Sequence, residues 1–289
     1  MIYFCADDYG MSQESNRRIE NCITDGVLNK VSVLPNGILT DFKERLPVCM
    51  ALHINLVEGA PLSDPKAIGS LVSDDGYFRD SFVGLFFRSY SFKRKELEKA
   101  LYQEIRAQIA FWKKQMGENT PVCLDSHQHT HMIPLVFRVL MQVIKEENLK
   151  VASLRIPAEP LMPYLLTPSL YLSYGPTGII RQWLLKMLAI VNGPALRRSK
   201  IPHHCFMGAM FSGRMTEDRI RKLLPHYLRI AKRRGQDIEI AMHPGYAEQG
   251  EELIDGHRPD FEKSYLSSGR KEEFQVLQSF HFEQKSERG

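Results

Sequence analysis

Four short apolar runs, each closed by titratable residues, constrain this chain more than any other feature. Residues 2–6 lead into Asp7-Asp8-Tyr9-Gly10, and residues 51–56 carry His53. Residues 122–124 lead into Asp125-Ser126-His127-Gln128-His129-Thr130-His131, and residues 238–242 into His243-Pro244-Gly245. Each run has strand length, and residues 31–34 and 151–155 add two more. Between them lie segments with helical spacing, at 13–25, 95–116, 134–147 and 216–234, and a last one at 269–280. Thr216 is placed to cap the fourth of these, and Gly235 to stop it. Repeated βα units predict a parallel sheet with its functional residues at the carboxyl ends of the strands. Because the polar clusters come from strands across the whole chain, a closed barrel gathers them on one spot more easily than an open sheet.

The residue types at these strand ends suit metal chemistry. Two adjacent carboxylates, Asp7 and Asp8, cannot both be buried and ionised cheaply unless a cation or hydrogen-bond donors compensate. In the Asp125–His131 run, an extended backbone would project His127, His129 and His131 from one face. One Asp with two His leaves positions open on a divalent ion for water and a substrate oxygen. A further carboxylate can then take a proton, and a histidine on the opposite side can supply one. Asp7, Asp8, His53, His127 and His243 provide such a set.

At 289 residues the chain is long enough for one large α/β domain, and its 43% hydrophobic and 25% charged content is ordinary for a globular protein. The net charge of +4 predicts no nucleic-acid footprint, since the basic residues fall mostly in helix-like segments. Five scattered cysteines without C-x-x-C spacing predict a reducing compartment, and the N-terminus starts on a strand pattern instead of a signal sequence, so a cytoplasmic location is expected. No apolar run reaches the roughly 20 residues that span a bilayer. Two regions depart from the βα rhythm. Residues 58–92 form a long excursion with an aromatic cluster, expected to be a lid. Residues 156–200 are rich in Pro, Leu and Tyr, expected to be a partly helical insert within a single domain spanning 1–289.

Taken in order, Ala6-Asp7-Asp8-Tyr9-Gly10, Leu52-His53-Ile54-Asn55-Leu56 with Glu58-Gly59, Asp125-Ser126-His127-Gln128-His129 and His243-Pro244-Gly245 resemble the motifs of the YdjC-like carbohydrate deacetylase family. Asn16 and Arg155-Ile156-Pro157 also match. Residues 56–59 and 75–80 are similar to its hopanoid-associated branch. The resemblance implies an α/β fold, a distorted (β/α) barrel, and metal-dependent removal of N-acetyl groups from a sugar or oligosaccharide. It implies Asp8, His53 and His127 as ligands of a divalent ion (Mg2+ or Zn2+), Asp7 as general base and His243 as general acid. Arg155, His129 and Asn55 are expected against substrate, with Phe82, Phe86, Tyr164, Tyr171 and Tyr174 as candidate aromatic walls and a homodimer as a possible assembly. A metal-dependent phosphoesterase would use the same ligands, but no Gly-rich loop or Arg clamp for phosphate is evident. A non-catalytic sugar-binding protein leaves the Asp7–Asp8 pair without a task.

Overall fold

The structure is a computed structural model and describes residues 1–255 and 259–280; the ends of the expected 1–289 domain at 281–289 lie outside the described residues. Its elements follow in the order β1 (Ile2–Tyr9), α1 (Gln13–Thr24), β2 (Lys30–Val33), α2 (Phe42–Arg45), β3 (Cys49–Ile54), α3 (Phe82–Arg88), α4 (Arg94–Met116), β4 (Val122–Ser126), a 3-10 turn (His127–Met132) and α5 (Pro134–Glu146). There follow β5 (Val151–Leu154), α6 (Met162–Leu165), a second 3-10 turn (Pro168–Ser173), α7 (Pro176–Ser199), β6 (Cys205–Met207), α8 (Glu217–Arg234), β7 (Ile238–Met242), α9 (Pro259–Tyr265) and α10 (Ser268–Ser279).

The seven strands form one parallel sheet in the order β5-β4-β3-β2-β1-β7-β6. The sheet curls into the expected distorted barrel. Its seam lies between β5 and β6, where the Leu154 amide donates to the Pro202 carbonyl at 2.9 Å. Both faces of the strands are covered: β2 and β7 are buried at every position, including Lys30 and Glu239, which pair with each other at 2.9 Å. β6 has only three residues and was not anticipated, being too short to carry a period. Around the sheet, α4 buries Leu97, Leu101, Ile105, Ile109 and Trp112 at helical spacing. The Thr216 side chain caps α8, and Gly235 closes it at φ 62°.

Two segments leave the barrel rhythm. Residues 58–92 are held by carboxylates: the Leu62 and Ser63 amides donate to buried Glu104 at 3.0 and 2.9 Å, and the Gly59 amide to Asp255 at 3.0 Å. The segment buries Ile68, Leu71, Phe78 and Leu85 against the core. In the 156–200 insert, α7 carries Leu185 and Leu188 inward, and Gln182 donates to the Glu159 carbonyl.

Candidate active site

Adjacent residues of a regular strand point to opposite faces, so Asp7 and Asp8 could not both serve one site if β1 were regular. The pairing of β1 with β2 slips between Ala6 and Tyr9, and Asp8 takes φ 71°. A bulge at the strand end with Asp in the left-handed region turns the second carboxylate back beside the first. Asn16 holds this turn, accepting from the Gly10 amide at 2.6 Å and donating to the Ile38 carbonyl at 2.8 Å.

Asp8 meets His53 from β3 and His127 from the end of β4. One ligand atom from each lies within 4.8 Å of the others, and all three residues are buried. His53 is oriented from behind. Its Nδ1 lies 2.7 Å from Asp125 Oδ1. Burial raises the Asp125 carboxyl, but Arg155 and His53 hold it at about 2. An ionised carboxylate only accepts, so Nδ1 donates to it and Nε2 is the ring atom turned to the cavity. Burial lowers the His53 pKa, but Asp125 and then Asp8 push it up to about 9, so an ion binding at Nε2 would displace a proton there. That Nε2 is buried, 3.5 Å from Asp8 Oδ1, and has no hydrogen-bond partner among the described residues. His127 places Nδ1 2.8 Å from Asp8 Oδ1 and Nε2 2.5 Å from Glu58 Oε2. Burial lowers its pKa, but Glu58 and Asp8 push it up to about 10; the proton facing Asp8 is the one an ion bound at Nδ1 would displace. The second Asp8 oxygen accepts from Arg270 at 2.9 Å. Burial raises this carboxyl, and His127 and Arg270 hold it well below the usual range.

The residues fit a divalent ion. Two imidazoles and a carboxylate make a suitable donor set. Six buried carboxylates (Asp7, Asp8, Glu58, Asp125, Glu239, Glu273) face three buried fixed cations, Lys30, Arg155 and Arg270, and buried negative charge needs a counterion.

Asp7 lies beside this cluster on a different counterion. Arg155 donates to both its oxygens at 2.7 and 2.8 Å and also pairs with Asp125 at 2.9 Å and Glu239 at 2.6 Å. Burial raises the Asp7 carboxyl; Arg155 and His53 lower it overall. His243 follows β7, its Nε2 4.0 Å from Asp7 Oδ2. Its amide donates to Glu273 at 2.5 Å, and its ring Nδ1 lies 3.6 Å from the same carboxylate. The next turn needs its glycine, because a Cβ at Gly245 would lie 2.3 Å from Ser15 Oγ.

A cavity of about 510 Å³ opens onto Asp7, Asp8, His53, His127, His129 and His243. Several expectations change here. The histidine run is not extended: the strand ends at Ser126, and Gln128 and His129 adopt left-handed angles within a 3-10 turn. His127 and His129 line the cavity, but His131 is buried, its Nδ1 2.6 Å from Ser126 Oγ and its Nε2 2.8 Å from the Arg155 carbonyl. Arg155 and Asn55, expected against substrate, do not line the cavity. Arg155 is enclosed by carboxylates, and Asn55 Oδ1 accepts from the Val57 and Glu58 amides. Of the five aromatic wall candidates only Phe82 reaches the cavity; Tyr164 and Tyr174 pack against Phe211, and Tyr171 against Tyr174. The insert contributes Ile180, Leu184 and Leu185 instead, and α9 contributes Tyr265. Glu58, Arg270 and Glu273 were not singled out from sequence. Glu58 stood inside a quoted motif, whereas Arg270 and Glu273 sit in a run that reads as a solvated helix face, separated by the three positions that share a side.

A family model described as YdjC-like protein matches residues 1–288. The chain belongs to the YdjC-like family. It is 32% identical over 160 residues to a Danio rerio protein named carbohydrate deacetylase, a stretch covering 53% of this chain and 49% of that protein. A Thermoanaerobacter pseudethanolicus protein of the same name is 27% identical over 164 residues, covering 54% and 61%. The matches thus span about half the length of these relatives. Among solved structures, an Enterococcus faecalis V583 protein assigned provisionally to cellobiose-phosphate cleavage superposes with a TM-score of 0.57 at 16% identity, covering 96% of this chain and 94% of that one. That likeness concerns the fold. No helix among the described residues is long and apolar enough to cross a membrane.

Proposed function

We propose that this protein is a metal-dependent carbohydrate deacetylase that hydrolyses the N-acetyl group of a sugar or oligosaccharide. The observation that carries the reading is the convergence of Asp8, His53 and His127, with a buried Nε2 on His53 that has no hydrogen-bond partner among the described residues, beside Asp7 and His243 in one cavity. Membership of the YdjC-like family and the name of the curated relatives support it. Asp8 Oδ1, His53 Nε2 and His127 Nδ1 would hold the ion, which when bound polarises the amide carbonyl and acidifies water.

The remaining work falls to the chain's own groups. Asp7, kept ionised by Arg155, accepts the proton of the attacking water. The Arg155 pairing makes it a weak base, but water acidified at the site needs only a weak one. His243, which lines the same cavity with Nε2 4.0 Å from Asp7 Oδ2, gives a proton to the nitrogen as the C–N bond breaks. Its backbone is pinned by Glu273, and a Cβ at Gly245 would force Ser15 to shift. The half-buried His129, which lines the cavity and stays neutral because burial and then Arg155 lower its pKa, contacts the sugar. The walls formed by Phe82, Ile180 and Leu184 cover the apolar faces of the ring.

Acetate release from N-acetylglucosamine oligomers, with and without added Zn2+ or Mg2+, tests the reading. Turnover that a chelator abolishes and a divalent ion restores is expected. Metal-loaded protein that cleaves phosphate esters but no acetamide would overturn it.

A further inference from the structure

The insert presents a face of which the proposed chemistry uses only Ile180. α7 is apolar on two sides. Gly178, Gln182, Leu185, Leu188 and Asn192 form its buried side. On the opposite side Ile179, Ile180, Trp183, Met187, Ile190 and Val191 are exposed, with Trp183 at 66% and Ile190 at 63%. At 100° per residue these six occupy one arc of the helix, and Arg197 and Arg198 end it. Contiguous exposed apolar surface rimmed by polar groups marks an interaction site. α3, which borders the cavity through Phe82, likewise exposes Val83 and Phe87.

Charge identifies the occupant. Between Glu159 and Glu217 the chain has no Asp or Glu but six Lys and Arg: Arg181, Lys186, Arg197, Arg198, Lys200 and Arg214. Since the whole chain carries only +4, the rest of it is net acidic. A second copy is a poor fit, because a two-fold interface would set this cationic segment against itself. An apolar helical face with an outward Trp, in a segment whose only charged side chains are cationic, has the composition of helices that lie in the plane of an anionic bilayer.

We propose that the exposed face of α7 docks on an anionic lipid surface. The helix lies on the membrane without crossing it. Because Ile180 and Leu184 of the same helix line the cavity, docking sets the cavity mouth against the headgroup layer.

The two tryptophans provide a readout that needs no substrate, so it stands or falls separately from the deacetylase reading. Trp112 is buried and Trp183 exposed, so a blue shift of emission on vesicle addition reports Trp183 entering lipid. Full-length protein should co-sediment with phosphatidylglycerol vesicles, show that shift, and bind phosphatidylcholine vesicles at least about tenfold more weakly. Added salt should weaken binding. Ile190→Asp and Met187→Asp should abolish the shift while leaving the thermal midpoint unchanged. If either variant fails to fold, the surface pair Arg197→Glu and Arg198→Glu tests the same face. Absence of binding to anionic vesicles would overturn the proposal. So would binding that survives both sets of substitutions, or a concentration-dependent dimer that Ile190→Asp dissociates.

Discussion

Two buried acidic clusters touch each other at the mouth of the barrel, and they differ in what neutralises them. Cys5, Asp7 and Asp125 lie close enough to share an ion, as do Asp8, His53 and His127. In the first, Arg155 Nη2 already stands 3.2 Å from Cys5 Sγ, 2.8 Å from Asp7 and 2.9 Å from Asp125. In the second, Arg270 takes only one oxygen of Asp8, and His53 Nε2 is left without a hydrogen-bond partner among the described residues. A guanidinium bonded to the fold cannot exchange, so the first cluster is a fixed support. The second keeps ligand atoms that an ion can use. Proximity of carboxylates alone does not distinguish a metal site from an ion-pair network; the counterion already present does.

The largest effect that would break this comparison comes from the second cluster. Asp8→Ala removes the one carboxylate of the donor set and leaves Arg270 unpaired. Metal content measured on purified protein should fall to background, and acetate release with it. Retained stoichiometric metal would place the ion elsewhere.

Next comes His243, which lies near both clusters and is counted in neither. His243→Ala should keep its metal and lose roughly 10²–10⁴-fold in turnover, the usual worth of a positioned acid or base. Metal loss as severe as in Asp8→Ala would make this histidine a ligand instead.

Arg155→Met tests the first cluster. It strips the cation from three buried carboxylates, and breaking a buried pair by removing one partner costs about 3–5 kcal/mol. The loss should appear in denaturant unfolding. It should also change with pH in a defined direction. In the wild type, burial raises Asp125 and Glu239, but Arg155, with His53 for the one and Lys30 for the other, holds each at about 2. Carboxyls with depressed folded pKa values stabilise fully above their unfolded values near 4, and that stability is lost as pH falls toward 2. Without Arg155 their folded pKa values rise, so acid unfolding should begin at higher pH. An unchanged acid midpoint would show that Lys30 and a bound ion suffice.

The sequence made the polar strand ends legible because each motif follows a strand-length run directly, so position in the barrel could be read from the chain. Asp7 and Asp8 were legible as a pair, but the bulge that aims both inward was not, since a positive φ leaves no mark in composition beyond the tolerance of Asp for it. The same limit produced the misreading of 127–131: alternation suggested a strand, and two left-handed residues make a turn instead. Arg155 was visible as part of a motif and expected against substrate; its burial among carboxylates contributed by β1, β4 and β7 is a property of the curled sheet, which the motif does not show. Arg270 and Glu273 were illegible for a different reason. A charged face on α10 looks solvated until the helix is placed against the mouth. Tyr164, Tyr171 and Tyr174 stack with one another and with Phe211, contacts across the insert and the core that the sequence spacing does not show.

The smallest expected effect lies on the boundary between the clusters. Asp125 belongs to the fixed cluster through Arg155 and serves the exchangeable one by holding His53 Nδ1 at 2.7 Å. Asp125→Asn keeps the shape and removes the charge. An amide can present either its oxygen or its NH₂ group to Nδ1, so the tautomer that leaves Nε2 free is no longer enforced, and the imidazole becomes a poorer donor. Metal affinity should weaken by about 10–100-fold, the usual cost of losing a partner behind a ligand. Titration of apo protein with Zn2+ measures this directly, and turnover should recover when the ion is supplied in excess. That recovery separates orientation from direct participation: if saturating metal leaves the variant as inactive as Asp8→Ala, then Asp125 does more than aim His53, and the line between the two clusters is drawn in the wrong place.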